Sequence, residues 1–106
     1  MQLSSRDISM KSIEIEFPVL AFVDIETTGG NSERDRITEI GIKTLAHGQE
    51  TVWECLVDPQ AFIPQNIQRL TGITPEMVAG QPAFDELALQ IKRELEGKIF
   101  VAHNAR

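Results

Sequence analysis

Hydrophobic positions along this chain fall into two periods, one of sheet and one of helix. Val19-Leu20-Ala21-Phe22-Val23 is an unbroken apolar run that closes in Asp24-Ile25-Glu26. A run of this length without helical spacing predicts a strand over 19–25, buried on both faces near the middle of a sheet. Pro18 suits its first residue, where no ladder donor is lost. Residues 37–45 predict a second strand, with Ile40 and Ile42 on one face and Glu39, Gly41 and Lys43 on the other. Residues 46–50 contain Gly48 and predict a short hairpin loop. Over 51–57, Trp53, Cys55 and Val57 alternate against Val52, Glu54 and Leu56, which predicts a third strand and an antiparallel meander.

Beyond Asp58-Pro59 the period lengthens. Proline cannot continue a ladder, so the strand ends there. Pro64 opens a short helix running to about residue 70, stopped by Thr71-Gly72. Thr74-Pro75 reads as an N-cap and first-turn pair for one more turn over 76–79. The clearest helix is 82–96, where Phe84, Leu87, Ala88, Ile91 and Leu95 form one apolar stripe. Asp85 and Glu86 suit its N-terminus, and Gly97 its C-terminal stop. Ile99-Phe100-Val101-Ala102 then predicts a buried fourth strand, which a helical crossover allows to lie parallel to the first. The expected fold is α/β: a three-strand antiparallel meander, helices, and a fourth strand in a mixed sheet. Residues 1–17 read as a leader or linker, in which Ile13, Ile15 and Phe17 alternate as an edge strand or extended lead-in. Residues 18–106 read as part of one domain.

Composition narrows the class. At 42% hydrophobic and 25% charged the 106 residues are ordinary for a globular chain, which argues against disorder. No apolar run approaches the ~20 residues of a membrane span, and the N-terminus lacks a signal-peptide core, so a cytoplasmic chain with no membrane partner is expected. The single cysteine, Cys55, excludes an internal disulfide and reads as an inert core thiol. With 10 basic residues and a net charge of −6, grip on a phosphate backbone through Lys and Arg is expected to be weak.

The chemistry gathers at the end of the first strand. Asp24 and Glu26 are two apart, so their carboxylates leave the same face. Carboxylates that close repel each other unless a cation sits between them, and an oxygen-only pair suits Mg²⁺ or Mn²⁺. In parallel sheets ligands collect beyond the carboxyl ends of the strands, where Asp24, Glu26 and His103 would emerge. Residues 27–32 carry turn chemistry, with Gly29 expected at positive φ. Glu33-Arg34-Asp35-Arg36 reads as a solvated charge cluster without a role. His47 is expected on the surface, Glu39 in a structural role, and His103, a lone histidine after a buried strand, as a hydrogen-bonded structural group.

Val23-Asp24-Ile25-Glu26-Thr27-Thr28-Gly29 resembles the first motif of the DEDDh family of 3′–5′ exonucleases, which includes the proofreading subunit of bacterial replicative polymerases. Leu70-Thr71-Gly72-Ile73-Thr74 is similar to the family's segment ahead of its long helix. Val101-Ala102-His103-Asn104-Ala105-Arg106 is similar to the start of its second motif, which normally continues into Phe-Asp. The resemblance implies a ribonuclease H-like fold, of which this chain would be the N-terminal part, truncated at its C-terminus. It implies metal-dependent release of nucleoside 5′-monophosphates from the single-stranded 3′ ends of DNA or RNA. Asp24 would bridge two Mg²⁺ or Mn²⁺ ions and Glu26 would help hold one. Ile25, Thr27, Thr28, Leu70, Thr71, Ile73, His103 and Asn104 would line the terminal-nucleotide site. Two further aspartates and a histidine base would lie past Arg106, so the 106 residues alone are expected to be inactive, and self-associated or loosely folded. A polymerase subunit or a domain fused to one fits the family. The rival of a different class is a non-catalytic nucleic-acid or partner-binding module of the same fold.

Overall fold

The computed structural model describes residues 18–103; the readings made for 1–17 and for Asn104 lie outside the described residues. Four strands and three helices follow in the order β1 (Leu20–Thr27), β2 (Ile37–Ala46), β3 (Gln49–Leu56), α1 (Gln65–Thr71), α2 (Pro75–Val78), α3 (Phe84–Leu95) and β4 (Ile99–His103). The strands form one sheet in the order β3-β2-β1-β4. β2 is antiparallel to both β1 and β3, and β4 is parallel to β1, which makes the meander and crossover the periodicity predicts.

Alternation decides which side becomes core. Ala21 and Val23 of β1, Ile40 and Ile42 of β2, and Val57 just past β3 are buried on one face, joined by Ile91 of α3. Trp53, Cys55, Leu87 and Leu95 pack around them. The helical stripe is therefore narrower than its apolar residues suggest, since Phe84 and Ala88 stay exposed. Burial raises the Cys55 thiol above its ordinary range, and its Sγ faces the Leu56 carbonyl at 3.1 Å, as suits an inert thiol. A second cluster, Ile63, Ile73 and Val78, sits under α1 and α2 with Leu56 and Ile67 against it. Ile42 is 1% exposed. Ile42→Ala is expected to lower unfolding stability by about 2–5 kcal/mol, read as a lower urea midpoint at unchanged slope.

Local chemistry sets the ends of the elements. The β2–β3 loop is only His47-Gly48, at φ 53° and 78°, the two positive values of a type I′ turn. His47 is at the surface, as expected. Gly72 caps α1 in the left-handed conformation, and its N–H donates to Gln68 O. The Thr74 hydroxyl accepts from Met77 N at 3.3 Å and opens α2. Pro82 and Ala83 do not join α3. Ala83 is extended and bridges Asp58, and its N–H donates to Glu86 Oε1 at 2.8 Å. Gly97, at φ 74°, turns the chain into β4.

Two expectations of burial need correction. β1 is central but buried on one face only, for Asp24 on its other face is exposed. β4 was expected to be wholly buried, yet Ile99 and Phe100 are 52% and 53% exposed. It pairs with β1 alone and forms the sheet edge among the described residues, so its apolar sequence is not matched by cover.

Candidate active site

The face of the sheet opposite α3 is ordered in rows by the strand register. One row runs Val52, Lys43, Phe22 and Val101 across β3, β2, β1 and β4. The next, toward the carboxyl end of β1, runs Glu54, Gly41 and Asp24 across β3, β2 and β1. The last holds Glu39 opposite Glu26. Apolar residues thus give way to four carboxylates over two rows. Together they line an open cleft of about 670 Å³. Gly41 lies between Asp24 and Glu54, and a Cβ there would meet only Glu54 Cγ at 3.8 Å and the Asp24 carbonyl at 3.9 Å. The cleft floor beside Asp24 therefore carries no side chain.

This concentration of charge registers on Glu39. Partial burial raises its carboxyl above the usual value of 4.5, and the nearby charges of Glu54, Glu26 and Asp24 raise it further. A carboxyl with a raised folded-state value is ionised first in the unfolded chain, so stability falls as pH rises from 4.5 through the folded value. Glu39→Gln removes that term. It is expected to raise the melting temperature at pH 7, with the gain over wild type shrinking as the pH is brought below 4.5.

Immediately after Glu26 the pairing of β1 with β2 shifts register: Glu26 faces Glu39, Thr27 faces Ile37, and Thr38 is the extra residue. Such bulges bend the strand and re-aim side chains. Thr38 is buried, and its carbonyl accepts from Val57 N at 2.8 Å. Thr28 N donates to Arg36 O at 2.8 Å and Arg36 N to Thr28 Oγ1 at 3.0 Å, closing the neck of the loop. The Thr27 hydroxyl donates to the Gly29 carbonyl and the Thr28 hydroxyl to Asp35 Oδ1 at 2.9 Å.

Gly29 is needed here for a reason other than the one expected. It does not stand among the positive-φ glycines. A Cβ at this position would lie 2.6 Å from Asp35 Oδ2 and 2.9 Å from Asp35 Cγ, so the side chain of Asp35 occupies that space. The 33–36 segment is accordingly no mere solvated cluster. Glu33 and Arg34 are exposed, whereas the Asp35 side chain is 14% exposed and faces inward on the turn. In sequence the signal was faint: one aspartate among mixed charges, seven residues from its threonine. Glu54 was likewise seen only as an alternating strand residue, although that alternation places it on the Asp24 face.

The remaining candidates are spread around this centre. Ile25 lies between the two acids and packs against the core. Thr71 Oγ1 donates to Ile67 O at 2.9 Å and accepts from Ile73 N at 3.1 Å, so it serves the end of α1. Leu70 is 63% exposed beside it, and Ile73 is 3% exposed within the second core cluster. None of these three lines the acidic cleft. His103 pairs in register with Asp24, at the end of β4.

An all-oxygen donor set at the end of a central strand fits a hard divalent ion, which would offset the charges of Glu54, Glu26 and Asp24 that add to burial in raising Glu39. Among the described residues, no three His, Cys, Asp or Glu side chains converge closely enough to form a metal cluster.

A mixed sheet of this order, with the paired acids on the middle strand, is a ribonuclease H-like fold. The chain belongs to the RNase T exonuclease family, which it matches over residues 21–106. It is 43% identical over 83 residues to the PolC-type DNA polymerase III of Clostridium perfringens, covering 77% of this chain and 6% of that protein. It is 38% identical over 88 residues to the 3′-5′ exonuclease DinG of Staphylococcus saprophyticus, covering 82% and 10%. The epsilon subunit of DNA polymerase III from Treponema pallidum is 37% identical over 83 residues, covering 77% and 39%. The chain therefore spans well under half the length of each of these relatives. Among solved structures, exonuclease X bound to 5′-overhanging duplex DNA superposes with a TM-score of 0.66 at 27% identity, over 79% of this chain and 48% of that one. An exonuclease I from Methylocaldum szegediense gives 0.69 at 19% identity, over 83% and 20%, and shares the fold. No helix among the described residues is long and apolar enough to cross a membrane.

Proposed function

We propose that this chain supplies the first half of a DEDDh-type 3′–5′ exonuclease site that hydrolyses the terminal phosphodiester of a single-stranded 3′ end. The observation that carries it is the placement of Asp24 and Glu26 on one open face of the central strand, two residues apart, just before a glycine turn. Membership of the exonuclease family supports it.

Asp24 and Glu26 would hold Mg²⁺ or Mn²⁺, with further ligands from residues beyond the described ones. The chemistry supplied by such ions would be polarisation of the scissile phosphate and a lower pKa for the attacking water. This chain's own part is to present two carboxylates at fixed spacing and to shape the pocket beside them. Thr27, the backbone of Ile25 and that of the turn would face the terminal nucleotide, while the Ile25 side chain anchors the strand to the core. Thr28, whose hydroxyl is committed to Asp35 and Arg36, would act through the turn that it closes. Exposed Leu70 would bear on the terminal base, and Thr71 and Ile73 would hold the segment that presents it. His103 and Asn104 would shape the loop that brings the next acid to Asp24. Kinship with polymerase subunits supports a polymerase as partner, in cis or in trans, and work in the cytoplasm.

The test is a single strand carrying labels at either end, given to the protein in its full natural chain. Mg²⁺-dependent shortening from the 3′ end, for DNA or RNA, with mononucleotide as product, is expected. Metal-dependent binding without any cleavage would favour the non-catalytic module instead.

A further inference from the structure

We propose that Asp35 is a positioning residue for the carboxylates of β1, acting through the turn that follows Glu26; this rests on the exonuclease site proposed above. Its carboxylate makes two directed contacts across the loop. Oδ1 accepts from the Thr28 hydroxyl at 2.9 Å, and Oδ2 accepts from Asn31 N at 2.8 Å. The same carboxylate fills the space that a side chain at residue 29 would take, with Oδ2 2.6 Å from the place of its Cβ. Gly29 and Asp35 are thus complementary: the carboxylate reaches Thr28 only because residue 29 has no Cβ.

The loop is built to aim that carboxylate. Asn31 Oδ1 accepts from Glu33 N at 2.9 Å and Arg34 N at 3.1 Å, and Asp35 N donates to Asn31 O at 2.7 Å. These bonds wind residues 31–35 into one turn that carries Asp35 back over Gly29. Thr28 is the receiving end, 3% exposed, its hydroxyl shared between Asp35 and Arg36 N. Thr28 lies two residues past Glu26 and just beyond the register shift, where β2 pairing no longer fixes the strand on its own. What the ladder gives up at the bulge, the Asp35 contacts restore. Ion sites are sensitive to such support, because a ligand that wanders loses affinity even when its own chemistry is intact. Arg34 does not share this role, for its side chain is 77% exposed and its guanidinium lies 3.9 Å from Asp35.

Mn²⁺ binding to the full natural chain, followed by paramagnetic resonance without nucleic acid, separates this role from general stability. Asp24→Asn is expected to lose Mn²⁺ binding. Asp35→Ala is expected to weaken it about tenfold, within the range for groups that hold metal ligands. Asp35→Asn is expected to fall between, since one amide oxygen can serve Thr28 or Asn31 but not both. Gly29→Ala should weaken Mn²⁺ binding about as much as Asp35→Ala, yet add under about twofold once Asp35 is alanine, because contacting residues couple. Arg34→Ala should bind as wild type. A merely structural role would lower the melting temperature of the Asp35 variants and leave Mn²⁺ affinity, measured far below melting, unchanged. If Asp35→Ala does not fold, the asparagine variant decides. Wild-type affinity in a folded Asp35 variant, with Asp24→Asn defective, overturns the positioning role alone. Full Mn²⁺ binding by Asp24→Asn overturns the exonuclease site and this role together.

Discussion

Asp24→Asn in the full natural chain is expected to abolish Mg²⁺-dependent release of nucleotides from 3′ ends, with a loss well beyond the about 100-fold that follows from disturbing a metal ligand's outer support. The amide keeps the size of the side chain and removes the charge that would hold and neutralise a divalent ion. Its direct partner across the ladder is Gly41, which offers no side chain to replace it. Glu26→Gln is expected to be severe but milder, since Glu39 lies directly opposite Glu26 and retains a carboxylate on the same face. Adding Glu39→Gln to Glu26→Gln should therefore deepen the loss, whereas adding it to Asp24→Asn should change little. Initial rates on a 3′-labelled strand at saturating Mg²⁺ give these values, with circular dichroism to confirm the fold. Near-normal turnover in folded Asp24→Asn would sink the assignment.

The parts legible in the sequence are those fixed by period. Alternation in β2 set Ile40 and Ile42 against Glu39 and Gly41, alternation in β3 set Trp53 and Cys55 against Glu54, and the sheet follows both divisions. The spacing of Asp24 and Glu26 put both acids on one face of the strand, and the fold leaves that face open. What stayed hidden depends on contacts between residues that no period links. Asp35 looks like its charged neighbours until the loop folds it over Gly29, seven residues from Thr28. Gly29 itself invited an explanation by backbone freedom, yet its φ is not positive and the requirement is space. The apolar run of β4 signalled a tendency to be buried but carried no information on what covers it.

That uncovered surface yields the second large effect. A polypeptide of residues 1–106 alone is expected to self-associate, or to remain loosely folded, and to show no exonuclease activity above background. Val52, Phe22 and Val101 lie in one row of the open face, with exposed Ile99 on the same face and exposed Phe100 on the opposite one, on a strand whose outer edge is unpaired among the described residues. Surface apolar patches beyond a few hundred Å² are uncommon on soluble monomers, and a free strand edge offers its unpaired N–H and C=O groups to another chain. Lys43 interrupts the row but is drawn toward Glu50, at 3.9 Å, on the exposed side of β3. Charge at the centre of the surface should therefore act against association. Val101→Lys, with Val52→Lys added, is expected to shift the polypeptide toward monomer in sedimentation velocity at tens of micromolar, without restoring activity, because two carboxylates cannot by themselves supply the ligands of a two-ion site. A well-folded wild-type monomer that shortens a single strand with Mg²⁺ would require the missing ligands and base to lie within these 106 residues, and the assignment of Asp24 and Glu26 as only half of the site would be wrong.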